Sequence, residues 1–212
     1  LLEAFERSPY AGLARERLRE GGDVFHTNSI ELLSGRLARQ LPAFAAGHVL
    51  VSFLTLDAIA VVDPAGPEVV WLHRGGFRAQ HDPQVLGDGG LLLFDNRGGN
   101  AGDVRASAVL ELDPATGAER WAYRGSPDRP FYSHTCGVAQ RLPDGNTLIT
   151  ESDRGRALET TPGGDVVWEY RNPFRAGPEG EFIATLFEAW RLPPDFPLDW
   201  LGDTSPGGVG GQ

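Results

Sequence analysis

Short alternating stretches, and not long helical periods, dominate this chain. In "NTLITES", Leu148 and Thr150 fall on one side while Thr147, Ile149 and Glu151 fall on the other, which is the period of a strand. "PQVLGDGGLLLFDN" and "AQRLPDGNTLITES" each read as strand, turn, strand, with Asp-Gly supplying the hairpin chemistry. A second kind of hairpin follows each of these. "AIAVVDPAGPEVVWLHR", "AVLELDPATGAERWAYR" and "RALETTPGGDVVWEYR" are strand, Pro/Gly turn, and a strand carrying Trp71, Trp121 or Trp168. In the first copy the leading hairpin runs from "SIELL" to "HVLVSF", and "SGRLARQLPAFAAG" replaces the tight turn.

Four short strands in a unit of about 50 residues is the period of a β-propeller blade. The pattern therefore predicts an all-β fold with about three four-stranded blades at 24–76, 77–126 and 127–176. The propeller region as a whole spans 23–200. A fourth unit starts at 182–196, where Ala189-Trp190-Arg191-Leu192-Pro193 repeats Ala139-Gln140-Arg141-Leu142-Pro143. Such a set is a partial ring, because closed propellers use about four to eight blades. The tryptophans are expected at equivalent outer-strand positions, largely buried between blades. Residues 1–22 are expected to form a short helical lead-in, with Leu13 and Leu18 at helical spacing, and 201–212 a flexible tail.

Charge narrows the partners. The net charge of −10 argues against tracking nucleic-acid phosphates and against an anionic membrane surface. No apolar run approaches the roughly 18 residues of a membrane span. Every cation is an arginine, which removes Schiff-base and P-loop lysine chemistry but suits planar anions. Cys136 is the only cysteine, so no intrachain disulfide forms. No metal ligand set and no cofactor motif stands out. The lack of methionine and the start Leu-Leu-Glu read as a processed chain or a fragment. A partial ring also leaves room for a homo-oligomer.

Candidate chemistry gathers at the strand openings. With Glu31, Gln84 and Gln140 placed at one position, Asn28, His81 and Gly137 stand three residues earlier in each unit. These positions open the innermost strands, so their side chains are expected at one mouth of the central channel. His26 lies just before Asn28, and His134 just before Gly137. Convergent polar groups at a channel mouth are the usual form of a binding site. His48 and His73 read as structural, in a loop and an outer strand. Asp95 and Glu151 end second strands and are expected to accept backbone or arginine hydrogen bonds.

The stretches "FHTNSIELL", "QHDPQVLGDGGLLLFDNRGG" and "AQRLPDGNTLITESDRGRALETTPGGDVVWEYRNPF" resemble the arylsulfotransferase family of the PAPS-independent, β-propeller type. The resemblance covers roughly 24–192 and corresponds to a C-terminal portion of such a protein. It implies sulfuryl transfer from a phenolic sulfate ester to a phenol through a sulfohistidine, without a cofactor. It further implies His81 as nucleophile, His26 and Asn28 as ligands of the sulfuryl oxygens, and an extracytoplasmic, periplasmic or secreted location. Arg97 and His134 are secondary candidates, with Arg105 as a further cation near the anion. The family pattern has an arginine where this chain has Leu54, and another histidine in an earlier blade. The alternative reading is a non-catalytic propeller that binds a ligand or a protein.

Overall fold

Three antiparallel sheets follow one another along the chain, each with four strands in sequential order. The structure is a computed structural model and describes residues 1–97 and 106–201. The first blade holds β1 (Thr27–Leu32), β2 (Val49–Phe53), β3 (Ala58–Asp63) and β4 (Glu68–Arg74). The second holds β5 (His81–Val85), β6 (Leu91–Asp95), β7 (Ala108–Leu112) and β8 (Glu119–Arg124). The third holds β9 (Val138–Arg141), β10 (Thr147–Glu151), β11 (Arg156–Thr160) and β12 (Val166–Arg171). A two-stranded ribbon, β13 (Arg175–Ala176) and β14 (Phe182–Ile183), follows. The chain is an all-β, open β-propeller arc, as its repeat period predicts.

The repeat is kept down to single residues. Trp71 lies opposite Val61, Trp121 opposite Glu111 and Trp168 opposite Glu159. In every blade a β-bulge follows at once in the outer strand, where Val70, Arg120 and Val167 are the extra residues opposite Val61/Val62, Glu111/Leu112 and Glu159/Thr160. A bulge bends and twists the strand that carries it, so all three outer strands curl alike.

Apolar faces meet between the blades. Leu50, Ile59 and Val61 of the first pack on Leu91, Leu93, Leu110 and Leu112 of the second. The long first turn adds Leu33, Leu37 and Phe44 to this core, with Phe44 against Trp71 at 5.0 Å between ring centres. Leu92, Phe94 and Val109 pack on Ile149 and Leu158 of the third blade. Helices α1 (Leu2–Glu6) and α2 (Ala11–Glu20) cover the remaining face of the first blade. They do so with Ala4, Phe5 and Ala14, while Leu18 is 43% exposed. The face of α2 that meets the sheet is therefore the one carrying Ala14.

Trp168 departs from the expectation of burial, being 44% exposed, whereas Trp71 and Trp121 are partly buried. Its neighbours explain this. The Trp121 indole donates to the Pro162 carbonyl of the third blade at 2.8 Å, and the Arg141 guanidinium lies 4.9 Å over its ring. Over Trp168 the Arg191 guanidinium lies farther off, at 6.0 Å. Arg191 pairs with Glu159 at 2.7 Å, just as Arg141 pairs with Glu111 at 2.8 Å. Gln140 and the Arg191 backbone exchange hydrogen bonds of 2.8 and 3.2 Å. Residues 186–191 thus repeat, one blade on, contacts that β9 makes with the second blade. All but Leu201 of the tail expected at 201–212 lies outside the described residues.

The three tryptophans should separate in stability. Trp121→Ala is expected to cost close to the roughly 3 kcal/mol that begins the range for core aromatics. Trp168→Ala is expected to cost under about 1 kcal/mol, near the surface norm. Urea melts of both variants check this, and equal losses would contradict the packing described.

Candidate active site

Two blades meet at Gln80, the residue before His81. Its side chain is fully buried, and its amide donates to Ser52 Oγ at 3.0 Å, to the Ala58 carbonyl at 2.8 Å and to the Phe53 carbonyl at 3.3 Å. Its backbone carbonyl accepts from Asn28 Nδ2 at 2.8 Å and from Ser52 Oγ at 3.2 Å. Next to it, the Ala79 amide donates to Asp57 Oδ1 at 2.7 Å. The opening of β5 is therefore tied to β1 and β2, which sets His81 beside residues 26–28.

His81 is half-buried at the first position of β5, opposite Phe94. Its Nδ1 lies 2.8 Å from Asn96 Oδ1 and 3.2 Å from the Ala79 carbonyl. Burial pushes the ring's pKa below its ordinary value. The Asn96 and Ala79 hydrogen bonds oppose this without reversing it. His26 is near enough for its charge to disfavour protonation of His81, and Asp153 of the third blade near enough to favour it. At neutral pH the ring is an uncharged imidazole.

His26 sits just before β1 with its ring half exposed, 3.0 Å from Asp23 Oδ2. Its backbone is left-handed at φ 42°, and its carbonyl accepts from the Leu54 amide at 3.3 Å. Asn28 is the extra residue of a bulge between Thr27 and Ser29. The count back from Glu31 and Gln84 holds, yet Asn28 is bulged while His81 is paired, so the two are not ladder equivalents. The second blade places its own bulge at Asp82 and Pro83. Non-glycine residues with positive φ crowd this end: His26, Asp57, Ala79, Asp82 and Cys136. Such strain persists only where surrounding bonds over-determine it, as those around Gln80 do.

The third blade contributes His134, exposed, with Nδ1 3.1 Å from the Tyr132 hydroxyl and its amide donating to Asp153 Oδ2 at 2.6 Å. Arg97 is exposed, its amide donating to Asp95 Oδ1 at 3.2 Å, and Arg105 lies outside the described residues. Asp95 also takes the Arg78 amide at 2.9 Å, and Glu151 takes the Tyr132 amide at 2.7 Å and Arg156 at 3.1 Å. Both acids anchor the segment leading into their own blade. His48 and His73 stand apart, one against the Ala43 carbonyl at 2.8 Å, the other stacked on Trp71. A groove beside β12 is lined by Arg129, Arg154, Arg156, Arg171 and Trp168, but Arg156 and Arg171 are already paired with Glu169. Among the described residues no cluster of ligating side chains fits a metal ion.

Asn96 is the residue that motif reading passed over. It closes "FDN" at the end of β6, where it looks like a turn residue. It is fully buried, and its Nδ2 donates to the Ser133 and Cys136 carbonyls at 2.8 and 2.7 Å. An Asn directly after an acid-terminated strand, one strand from the candidate histidine, was the available signal.

The sequence profile of the family described as Arylsulfotransferase (ASST) matches residues 5–173. This chain belongs to the arylsulfotransferase family. Among curated proteins none matches it. Of solved structures, a Bacteroides caccae protein of unknown function aligns at 16% identity and a TM-score of 0.39, over 58% of this chain and 42% of that one. The WD40 β-propeller domain of Doa1 aligns at 14% identity and a TM-score of 0.47, over 69% and 41%. The chain thus spans less than half the length of either.

At the bulge that follows His81, burial pushes the Asp82 carboxyl up to about 7. Glu188 and Glu31 add to the rise, while the Gln84 side chain and the Ala139 amide oppose it. The native state then holds a proton that the unfolded chain releases near pH 4, so stability falls as pH rises from about 4 to about 7. Asp82→Asn should remove that fall. Thermal melts at about pH 5 and about pH 8 should show wild type losing more Tm on the alkaline side than the variant. Equal losses would rule out a protonated Asp82.

Proposed function

We propose that this chain carries the sulfohistidine-forming part of an arylsulfotransferase that moves a sulfuryl group from a phenolic sulfate ester to a phenol. The observation that carries it is half-buried His81, its pKa lowered by burial, set beside the His26 segment by two tied blades, in a chain of this family. A neutral imidazole is a competent nucleophile near pH 7. Its ring nitrogen attacks sulfur, the S–O bond to the aryl group breaks, and phenolate leaves with the electron pair. An acceptor phenol, whose proton passes through solvent to the released phenolate, then attacks sulfur and returns the pair to the nitrogen. His26 and the Asn28 amide group, already oriented by its bond to Gln80, would meet the sulfuryl oxygens, whose charge grows on transfer. The family implies an extracytoplasmic setting, and among the described residues no helix is long and apolar enough to cross a membrane.

Leu54 favours a second reading, a propeller that binds aryl anions without turning them over. Its amide touches the His26 carbonyl, so a side chain here starts at the site. A charged donor is worth about 1.5–3 kcal/mol, or roughly 10- to 150-fold in rate.

The test is release of nitrophenol from 4-nitrophenyl sulfate, with phenol as acceptor and the full-length protein as enzyme. His81→Asn should abolish transfer and leave the circular dichroism unchanged. Leu54→Arg should raise kcat/KM by roughly 10-fold or more. Because the His81 pKa lies below the ordinary value near 6.5, activity should be level at neutral pH and fall only as pH drops through that lowered pKa. Normal turnover by His81→Asn would overturn His81 as the nucleophile, whereas no nitrophenol release and no acid-labile label on the wild-type ring would leave the binding reading in place.

A further inference from the structure

We infer that Asn96 is a positioning residue that keeps the proton on His81 Nδ1 through the whole transfer cycle, leaving Nε2 as the reacting atom. The inference rests on the sulfohistidine reading above and names the atom and the device within it.

The orientation of the Asn96 amide follows from its partners. Two backbone carbonyls, of Ser133 and Cys136, lie at 2.8 and 2.7 Å from one end of the amide. Carbonyls only accept, so that end is the NH₂ group and both its hydrogens are spent. The oxygen then faces His81 Nδ1 at 2.8 Å. The second partner of Nδ1, the Ala79 carbonyl at 3.2 Å, is also an acceptor. A ring nitrogen between two acceptors carries the hydrogen, so in the neutral ring Nε2 holds the lone pair. Turned over, the amide would set its oxygen against the Ser133 and Cys136 carbonyls and its own N–H against the ring.

Asparagine rather than aspartate matters for the chemistry. A carboxylate at this place would stabilise the imidazolium and could take the Nδ1 proton. An amide oxygen accepts the hydrogen bond but not the proton. When Nε2 attacks sulfur and the S–O bond breaks, the ring becomes a sulfo-imidazolium that still bears its Nδ1 hydrogen. That positively charged ring is a good leaving group. When the acceptor oxygen attacks, the N–S electron pair returns to Nε2 and the starting tautomer is restored. No proton enters or leaves the ring in either step.

The same bonds tie this device to the next blade. Ser107 Oγ donates to the Asn96 carbonyl at 3.0 Å, and the Ser133 amide donates to Ser107 Oγ at 3.0 Å. Ser107 therefore supports the frame but does not touch the ring, which makes it a structural control.

The experiment is a pH titration of the histidine ring nitrogens by ¹⁵N NMR, with kinetics in parallel, on the full chain. Wild type is expected to show His81 protonated at Nδ1 and its pKa below that of free histidine. Asn96→Asp should raise that pKa and move the acid limb of kcat upward. Asn96→Ala should mix the tautomers and lower kcat, by up to about 10⁴ for a misplaced catalytic imidazole, while leaving KM nearly unchanged. Ser107→Ala should lower Tm but keep the tautomer. His81 protonated at Nε2 in wild type overturns the inference, and so does an unchanged tautomer in Asn96→Ala. If that variant does not fold, Asn96→Asp and the wild-type spectrum decide. The proton on Nδ1 in a chain without transfer activity would support the Asn96 assignment and sink the functional reading instead.

Discussion

The buried amide of Gln80 is the contact on which the geometry of this protein turns. It is fully enclosed, and it reaches out of the second blade to three acceptors in the first. Apolar packing brings these blades together, but packing is non-directional and tolerates sliding. A buried donor is different, because each acceptor it abandons is left unpaired at about 1–3 kcal/mol. That asymmetry fixes the offset of β5 against β2 and β3, and the Gln80 carbonyl adds the tie to Asn28 of β1. His26, Asn28 and His81 inherit their mutual placement from it.

The inner strands use a looser form of the same device. Glu31 accepts the Val85 amide at 2.9 Å, Gln84 donates to the Ala139 carbonyl at 2.8 Å, and Gln140 bonds both ways to Arg191. One side chain at one repeat position thus reads the backbone of the next blade each time. Outer strands rely on Arg, Glu and Trp instead, as in the Arg141, Glu111 and Trp121 set. Where the second of the two blades lacks the arginine, at Val85 beside Val61 and Trp71, the joint is apolar. The blades are held by polar registration near the axis and by bulk farther out.

Much of this was legible in the sequence because it repeats. Strand order, turn positions and the equivalence of the tryptophans follow from a period that any blade must obey. Burial of Trp168 was not legible, since it depends on what lies beyond the third blade and not on the local pattern. The ladder places of Asn28 and His81 were hidden for another reason. Bulges shift pairing without changing the residue count, and the two blades bulge at different points. Asn96 stayed out of sight because its role exists only once Ser133 and Cys136, some forty residues on, come to face it. The family motifs pointed to the histidines, whereas the partner that orders the ring could be found only in three dimensions.

The Ser133 and Cys136 carbonyls belong to the connection that leads into the third blade, and this has a consequence for the order of folding. Each blade gathers its strands from neighbouring sequence, so a single blade can close on local contacts. The orientation of the Asn96 amide cannot be set that early. It waits until the following connection has settled, itself pinned by Asp153 and Glu151 of the third blade. The second blade can thus be complete as a sheet while its histidine is still unaligned. Alignment of the His81 ring in this arc belongs to no single repeat; it arrives last, when the third blade docks.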